Sequence, residues 1–338
     1  MLTYEEFTEE LVHSIPDYLP SGLKERGLEV QQIVSTNDHK RDVLTPAGAE
    51  GSGSSKPVMY LDEIYAQYQS MNPGMEVICR MVAETMEQAM TRSPDYNTVQ
   101  DQIKAENAFP ALINLENNSE YLKDVPHLVL GDLAVVYKIP VVEEKMGRGT
   151  VTINNALLEK MEISQEELFT TAYENMKKRN ALQVERMEDT LFLNPEPVDG
   201  KTTFTFDELD SLPDDFHLLV VSNAERYWGD GLLLMKENIE KLSERMESSL
   251  IIIPSSVHEV IVIPDTGGTI MQTCLEMVKD VNETTVDPKE RLSNSIYRYD
   301  RDRMELELHA QDGTVRDMKL ERPDQDRETA KKKSEHER

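Results

Sequence analysis

The amino-acid sequence predicts an α+β protein in two parts, with helices packed on mixed or antiparallel sheets. Three observations lead to this class. The chain has 338 residues, roughly twice the length of a typical single domain. A stretch rich in Pro, Asp, Thr and Gly at residues 194–213 separates two halves, as linkers and long loops do. The second half runs strand–helix–strand–strand–helix–strand, which favours helices layered on one sheet.

The chain opens with a predicted helix from Thr3 to about Tyr18. Thr3 and Glu6 have the spacing of a capping box, in which each side chain bonds the other residue's backbone N–H. Apolar residues then recur at helical spacing as far as Ile15. Pro16 brings the helix to its end.

The rest of the first half alternates between extended and helical patterns. A second capping box, Ser164 with Glu167, marks a helix start inside a long helical stretch. The small-residue run at 47–56 predicts a flexible loop. Strands are predicted at residues 28–34, 42–46, 58–61, 109–115, 129–142 and 150–153, and helices at 62–68, 75–90, 98–106 and 154–186.

The second half has shorter segments with clearer boundaries. Strands are predicted at residues 217–222, 250–253, 259–263, 296–299 and 304–309, and helices at 231–248 and 269–281.

These elements set the expected domain boundaries. We expect an N-terminal α+β domain at 1–193, a linker or long loop at 194–213, and a C-terminal α+β domain at 214–312. The charged residues 313–338 form an expected disordered tail, because no hydrophobic period continues to the end of the chain.

The charge balance excludes several classes of partner. The sequence has 64 acidic and 36 basic residues, a net charge of -28 and a pI near 4.6. Because clustered Lys and Arg dominate phosphate affinity, direct nucleic-acid binding is not expected.

The apolar runs are far shorter than the ~20 residues of a membrane helix. The acidic N-terminus does not look like a secretory signal. Cys79 and Cys274 fall in helical apolar patterns, so we expect reduced core thiols in a cytoplasmic protein.

Two segments have distinctive amino-acid sequences. Leu122 to His127 reads Leu-Lys-Asp-Val-Pro-His, and Pro254 to Glu259 reads Pro-Ser-Ser-Val-His-Glu. Together with the Tyr-Glu-Glu-Phe start of the first helix, they resemble an uncharacterised bacterial family that carries a domain-of-unknown-function label. The resemblance covers roughly residues 2–302. It supports the fold and the domain boundaries but implies no activity, ligand or partner.

The Pro-Ser-Ser-Val-His-Glu turn holds the side chains of a candidate hydrolase. Ser256, His258 and Glu259 are a nucleophile, a base and an orienting carboxylate. In an extended segment, however, Glu259 points away from the face that Ser256 and His258 share. The favoured interpretation is that the serine satisfies turn backbone groups and that His258 bonds a neighbouring strand.

A second candidate is Asp265, which with Thr266 and Gly267 follows an apolar strand. Aspartic proteases present a catalytic carboxylate in this way, but their chemistry needs two carboxylates that share a proton. This chain has one copy and would have to act as a homodimer. A strand end followed by a glycine turn is the favoured interpretation.

Arg226, Tyr227 and Trp228, the only tryptophan, follow a predicted buried strand, a common position for functional loops. They are a candidate aromatic and cationic binding spot, although the two rings can equally fold over the next helix. The seven histidines are scattered without metal-ligand spacing, and no phosphate-binding loop is present. We therefore expect no metal and no cofactor.

The sequence favours a non-enzymatic binding or accessory factor. One alternative is an acidic decoy, whose surface carboxylates imitate nucleic-acid phosphates and occupy a groove of a basic protein partner. The second alternative is a hydrolase that uses Ser256 and His258. The oligomeric state is not predicted.

Overall fold

Helices and antiparallel sheets make up the computed structural model, which confirms the predicted α+β class. The structure describes residues 1–48, 58–91, 102–143, 147–178, 181–190, 201–213 and 218–323. In this described part, no helix is long and apolar enough to cross a membrane.

The chain divides into two compact units, and the division differs from the predicted one. The first unit holds Met1–Ile103 together with Val141–Gly149, and the second holds Lys104–Pro140 together with Thr150–Arg338. Much of the predicted N-terminal domain therefore belongs with the C-terminal strands. The reason is strand pairing across long sequence separations, which local periodicity does not reveal.

The predicted linker at 194–213 also contains packed structure. Residues 194–200 lie outside the described residues, but Thr203–Thr205 forms a strand that pairs with Leu182–Arg186. The apolar side chains of this stretch are buried: Phe204, Phe206, Leu209 and Leu212. The linker prediction relied on composition, and the polar residues between these four side chains hide their shared burial.

The first unit consists of helices around a small antiparallel sheet. Its helices are α1 (Tyr4–Ser14), α2 (Ser21–Arg26), α3 (Leu61–Met71) and α4 (Met75–Thr91), and its strands are β1 (Leu28–Ser35), β2 (His39–Pro46) and β3 (Met59–Tyr60). The strand order is β1-β2-β3. Of the predicted flexible loop at 47–56, residues 49–56 lie outside the described residues.

The predicted capping box at the start of α1 is confirmed. The Glu6 N–H donates to Thr3 Oγ1 at 3.3 Å, and the Thr3 N–H donates to Glu6 Oε2 at 2.9 Å. This start directs Phe7 and Leu11 into the core of the first unit. The Phe7 ring lies 4.9 Å from the ring of Tyr68 of α3, within the range of favourable aromatic pairs.

The second unit is built on two sheets. The strands that form them are β4 (Phe109–Asn114), β5 (Leu128–Leu130), β6 (Leu133–Glu143), β7 (Gly147–Thr152), β8 (Leu182–Arg186), β9 (Thr203–Thr205), β10 (Leu219–Asn223), β11 (Leu250–Ser256), β12 (Glu259–Pro264), β13 (Ile296–Asp300), β14 (Glu305–His309), β15 (Val315–Asp317) and β16 (Leu320–Glu321). The larger sheet has the order β15-β14-β13-β11-β12-β10-β8-β9, and the smaller has the order β16-β5-β6-β4 with β7 beside β6. The predicted hairpins β11–β12 and β13–β14 are confirmed.

Both faces of β6 are buried. Leu133 and Val135 join the large core of the second unit, whereas Ala134 and Val136 join a smaller core on the opposite face. A strand that is buried on both faces reads as a continuous apolar run. Lys138 is the exception in this run, and it is described below.

Helices cover the sheets of the second unit. They are α5 (Asn155–Lys160), α6 (Gln165–Lys178), α7 (Met187–Thr190), α8 (Lys236–Arg245) and α9 (Ile270–Thr284). The second predicted capping box precedes α6, where the Glu167 N–H donates to Ser164 Oγ at 3.1 Å and the Ser164 N–H donates to Glu167 Oε2 at 2.8 Å. Helix α9 packs Cys274 against Ile251 and its neighbours in β11.

Residues 313–323, which we call the strap, were predicted as part of the disordered tail at 313–338. In the structure β15 pairs with β14 of the larger sheet, and β16 pairs with β5 of the smaller sheet. The strap thus crosses from one sheet to the other. Its two strands are too short for a hydrophobic period, which is why the sequence pattern did not predict them. Residues 324–338 lie outside the described residues.

Gly131 fixes the position of the strap. It occupies the β5–β6 turn with φ of +64°, a conformation that favours glycine. A Cβ at this position would overlap the Sδ atom of Met318 in the strap. The methionine therefore sits directly on the glycine backbone.

We expect Gly131→Ala to destabilise the protein by about 2–4 kcal/mol, because it adds a steric overlap to the cost of the left-handed backbone. Denaturant unfolding measures this change. The matched control is Gly267→Ala, which has φ of +74° but open space around the new Cβ and should cost about 1 kcal/mol. Adding Met318→Ala should recover part of the Gly131→Ala loss. Equal losses for the two alanine variants would contradict this account.

Candidate functional site

The turn that joins β11 and β12 does not bring a serine nucleophile to a histidine base. Ser256 Oγ accepts a hydrogen bond from the backbone N–H of His258 at 3.1 Å. The carbonyl of His258 in turn accepts from Ser222 Oγ at 2.7 Å. Glu259 begins β12 opposite Ser256 in the strand register. Ser256 Oγ thus satisfies a main-chain N–H of its own turn, whereas the His258 imidazole bonds the loop after β10 rather than a neighbouring strand.

The imidazole of His258 has other partners. Its Nδ1 accepts a hydrogen bond from the backbone N–H of Trp228 at 3.1 Å, so the neutral ring carries its proton on Nε2. Nε2 lies 3.8 Å from Glu290 Oε1. The ring also stacks on Tyr227, with centroids 5.4 Å apart. These contacts orient the ring toward Glu290 rather than toward a serine.

Asp265 lies in a separate ion-paired turn. Its Oδ2 accepts from Arg298 Nε at 2.7 Å, and its Oδ1 accepts from the Gly267 N–H at 3.0 Å. Arg298 also bonds Asp300 of the same sheet. A carboxylate held in this way closes a turn, and these two partners are a guanidinium and a backbone N–H rather than the second carboxyl group that protease chemistry would need.

The loop after β10 brings the predicted aromatic residues together with His258. Arg226 pairs with Glu185 of β8, Tyr227 is exposed, and Trp228 is half-buried against both cores of the second unit. Arg226 and Trp228 have φ of +49° and +55°, and such strain in non-glycine residues persists only where surrounding contacts enforce it. A Cβ at Gly229 would overlap Ser222 Oγ and the carbonyl of His258. The loop is thus locked against the β11–β12 turn.

Lys138 lies beneath this loop and is not among the candidate residues predicted from the sequence. Only 4% of its surface is exposed. Its Nζ lies 3.8 Å from the centre of the Trp228 ring and donates to Thr152 Oγ1 at 3.0 Å. Burial lowers the pKa of Lys138 to about 8, against a smaller opposing effect of Asp230. The available sequence signal was a lysine at an inward position of the apolar β6 run.

Asp230 is a fully buried carboxyl group that the sequence patterns did not indicate. Its Oδ1 accepts from the Leu112 N–H at 3.4 Å. Burial raises the pKa of this carboxyl well above its usual value, although the Leu112 hydrogen bond and Lys138 act in the opposite direction. Its Oδ2 and the Nε1 of Trp228 are buried without a hydrogen-bond partner among the described residues. Buried polar atoms without a partner are rare in folded proteins and mark a site that needs an explanation.

A polar cleft of about 890 Å³ lies among the described residues of the second unit. Its walls come from the loop after β4, the segment before β5, the β5–β6 turn, the residues before β13 and the strap. Leu122, Lys123 and His127 in these walls belong to the Leu-Lys-Asp-Val-Pro-His segment. The strap contributes Arg316 and Pro323. We refer to this cavity as the polar cleft.

Asp132 is a fixed carboxylate in the wall of the polar cleft. Its Oδ1 accepts from the Tyr297 hydroxyl at 2.9 Å, and its Oδ2 accepts from the Ser293 hydroxyl. Tyr297 is fully buried, and both burial and the neighbouring Asp132 raise its pKa. The phenol therefore stays protonated and remains a donor to Asp132. The two hydroxyl groups thereby hold the carboxylate in one orientation.

His127 is fixed in the same wall. Its Nδ1 lies 2.8 Å from the carbonyl of Val125, so Nδ1 carries the proton in the neutral ring and Nε2 is left as an acceptor. Its own carbonyl accepts from Gln165 Nε2 at 2.7 Å. Pro126 between these residues restricts the backbone further. The Leu-Lys-Asp-Val-Pro-His segment thus builds one side of the polar cleft.

A second cavity, of about 330 Å³, also has strap residues in its lining. It is lined mainly by apolar side chains, which include Phe169, Leu233 and Tyr299, and the strap closes it with Met318 and Leu320. Strap residues therefore line both cavities.

Thiol and metal chemistry find no support in the described residues. Cys79 and Cys274 are free and buried, and burial raises the pKa of Cys79 to about 11 and also raises the pKa of Cys274. A thiol with a raised pKa is a poor nucleophile. No group of three or more His, Cys, Asp or Glu side chains in this part of the chain is placed to hold a metal ion.

We expect Asp230→Asn to change how stability depends on pH. Because the folded pKa is raised, stability from this group is complete below the unfolded pKa near 3.9 and is lost as the pH rises toward the folded pKa. Across that window the parent protein should lose about 1.4 kcal/mol per pH unit through Asp230, and the variant should not. Unfolding curves from pH 4.5 to 7.5 test this. Parallel curves for variant and parent would contradict the expectation.

Lys138→Met should reveal the opposite dependence. A lysine whose folded pKa is lowered to about 8 contributes stability above the unfolded pKa near 10.4, and that stability is lost as the pH falls through 8. The variant should therefore be more stable than the parent at pH 7 by up to about 3 kcal/mol, with the advantage gone above pH 10.5. Denaturant unfolding at pH 7 and pH 10.5 measures it, and exposed Lys279→Met is the control.

Comparisons with known proteins agree with the resemblance seen in the sequence. A family model described as "Family of unknown function (DUF5688)" matches residues 4–301. No curated protein matches significantly, and neither does any solved structure. The match covers most of the chain, from α1 to the end of β13. The protein therefore belongs to the DUF5688 family of unknown function.

Proposed function

We propose that this protein is a non-enzymatic binding protein whose polar cleft takes a small polar molecule. The observation that carries this proposal is the cleft itself, about 890 Å³ in volume, with polar side chains already held in place along its walls. Ligand sites in proteins commonly have volumes of roughly 300–1,000 Å³ and a few fixed polar groups.

Preorganisation supports a binding role. Asp132 is held by hydrogen bonds from Tyr297 and Ser293, and His127 is held by the contact of its Nδ1 with the Val125 carbonyl. Asn114 is held as well, because its Nδ2 donates to the Leu292 carbonyl at 3.0 Å and its Oδ1 accepts from the Asn117 N–H at 2.8 Å. Side chains fixed before binding lose little conformational entropy when a ligand arrives.

The geometry of the hydrolase candidates favours binding over catalysis. Ser256 Oγ is engaged by a backbone N–H, and His258 Nδ1 is engaged by another. Neither residue lines the polar cleft. A hydrolase would instead need a hydroxyl within reach of a free imidazole nitrogen beside a cavity.

The compartment is also part of the proposal. The free, buried thiols of Cys79 and Cys274 suit a reducing environment. We therefore propose that the protein works in the cytoplasm.

A thermal-shift screen tests the binding role. The panel contains amino acids, polyamines, nucleosides, sugars and sugar phosphates, each with the full chain. A ligand at about 100 times its Kd should raise the Tm by roughly 3–5 °C. Asn117→Trp places a bulky ring at an exposed position of the cleft wall and should abolish the shift.

Gln272→Trp is the matched control, because Gln272 is exposed on α9 and does not line the cleft. It should respond to ligand as the parent does. The proposal is overturned if no compound class shifts the Tm of the parent, or if Asn117→Trp responds as strongly as Gln272→Trp.

A further inference from the structure

The charge pattern inside the polar cleft indicates which molecules fit it. Five residues of its wall carry full charges: Glu116, Lys123, Asp132, Asp312 and Arg316. Their arrangement, rather than their number, decides the sign of the field that a ligand meets.

The basic residues of the wall have acidic neighbours. Lys123 Nζ lies 2.7 Å from Glu120 Oε1. Arg316 is exposed on the strap, and its charge contributes least to the lowered pKa of Asp312, which hydrogen bonds from Thr314 lower most. Lys123 is therefore paired with a carboxylate, whereas Arg316 has an acidic residue in its vicinity.

The remaining acidic residues lack such compensation. Asp132 receives two hydroxyl hydrogen bonds, and among the described residues no basic side chain pairs with Asp132 or with Glu116. A carboxylate offers about four lone-pair positions, so two neutral donors leave Asp132 with capacity for further N–H donors. The uncompensated charge of the cleft wall is negative.

His127 adds an acceptor of the same kind. Its Nδ1 proton is directed at the Val125 carbonyl. The lone pair of Nε2 is therefore the acceptor that remains for a ligand. Glu116, Asp132 and His127 together thus offer acceptors to a group that carries several N–H donors. The net charge of -28 raises the local concentration of cations around the whole molecule.

A metal ion fits these walls less well than an organic cation. No group of three or more His, Cys, Asp or Glu side chains in the described part of the chain is placed for a metal. Protein sites for Mg²⁺ and Ca²⁺ use closely spaced oxygen ligands, carboxylates among them, and Asp132 and Glu116 are not part of such a cluster among the described residues.

We propose that the ligand of the polar cleft carries a protonated nitrogen, as an ammonium or guanidinium group, and that Asp132 is its counter-charge. This inference rests on the binding function proposed above and names the chemical class of its ligand. An organic cation presents directional N–H donors, which match carboxylate and imidazole acceptors better than a spherical ion does.

Matched pairs of probes test the inference by calorimetry with the full chain. L-arginine is compared with L-citrulline, and putrescine with 1,4-butanediol, because each pair differs in charge while its size is similar. The cationic member should bind at least tenfold more tightly. Asp132→Asn should reduce that preference by tenfold or more, and Asn117→Trp should abolish binding of both members.

A second variant covers the case in which Asp132→Asn does not fold, since Asp132 also bonds Ser293 and Tyr297. Glu116 is exposed, and Glu116→Gln should weaken the cationic probes severalfold without a change in Tm. Glu283→Gln makes the same change of charge on an exposed position of α9 outside the cleft and should have no effect.

The outcomes separate this inference from the binding function. If neutral or anionic probes bind in a way that Asn117→Trp blocks, while cations show no preference, the cleft is a ligand site and the cation inference is wrong. If a cationic probe binds and Asp132→Asn or Glu116→Gln leaves its affinity unchanged, the inference is also wrong. If no probe of any charge binds, the binding function itself fails.

Discussion

One hydrogen-bonded carboxylate, Asp132, links the two sheets of the second unit. Asp132 lies in the β5–β6 turn of the smaller sheet, and its donors Ser293 and Tyr297 lie just before and within β13 of the larger sheet. Hydrogen bonds to a charged group are stronger than those between neutral groups, and Tyr297 contributes from a fully buried position. The same contact closes the sheet interface and sets the wall of the polar cleft. The architecture and the candidate ligand site are therefore inseparable at this residue.

A second set of polar groups is buried at a cost to stability. Lys138 and Asp230 lie in the interior beneath the loop that carries Trp228, and burial disfavours the charged form of each. The loop over them has a left-handed tryptophan and a glycine that admits no Cβ. Buried ionisable groups and a left-handed non-glycine residue thus occur together around the Trp228 loop. Regions that depart from the usual preferences of protein structure in this way tend to be functional or strained. In this protein the loop joins β10 to the β11–β12 turn through Ser222, Trp228 and His258.

The wall of the polar cleft extends beyond the part of the chain that the family model matches. The family match ends at residue 301, whereas the strap occupies residues 313–323 and adds Arg316 and Pro323 to the cleft wall. Asp132 and His127 lie inside the matched region. The wall is thus composed of a part that the family model covers and a part that follows it, and Met318 on Gly131 attaches the second part to the first.

The sequence alone determined the local features of this protein. Periodicity and turn chemistry predict features that depend on residues close together in the chain. These features are the two capping boxes, the hairpins β11–β12 and β13–β14, and the burial of the two cysteines. Only the tertiary structure decided the rest. Leu112 meets Asp230 across 118 residues, and Asp132 meets Tyr297 across 165. Such distant pairings determine the division into units, the polar cleft, the buried ionisable groups and the strap. Local sequence patterns do not indicate which distant residues will become neighbours.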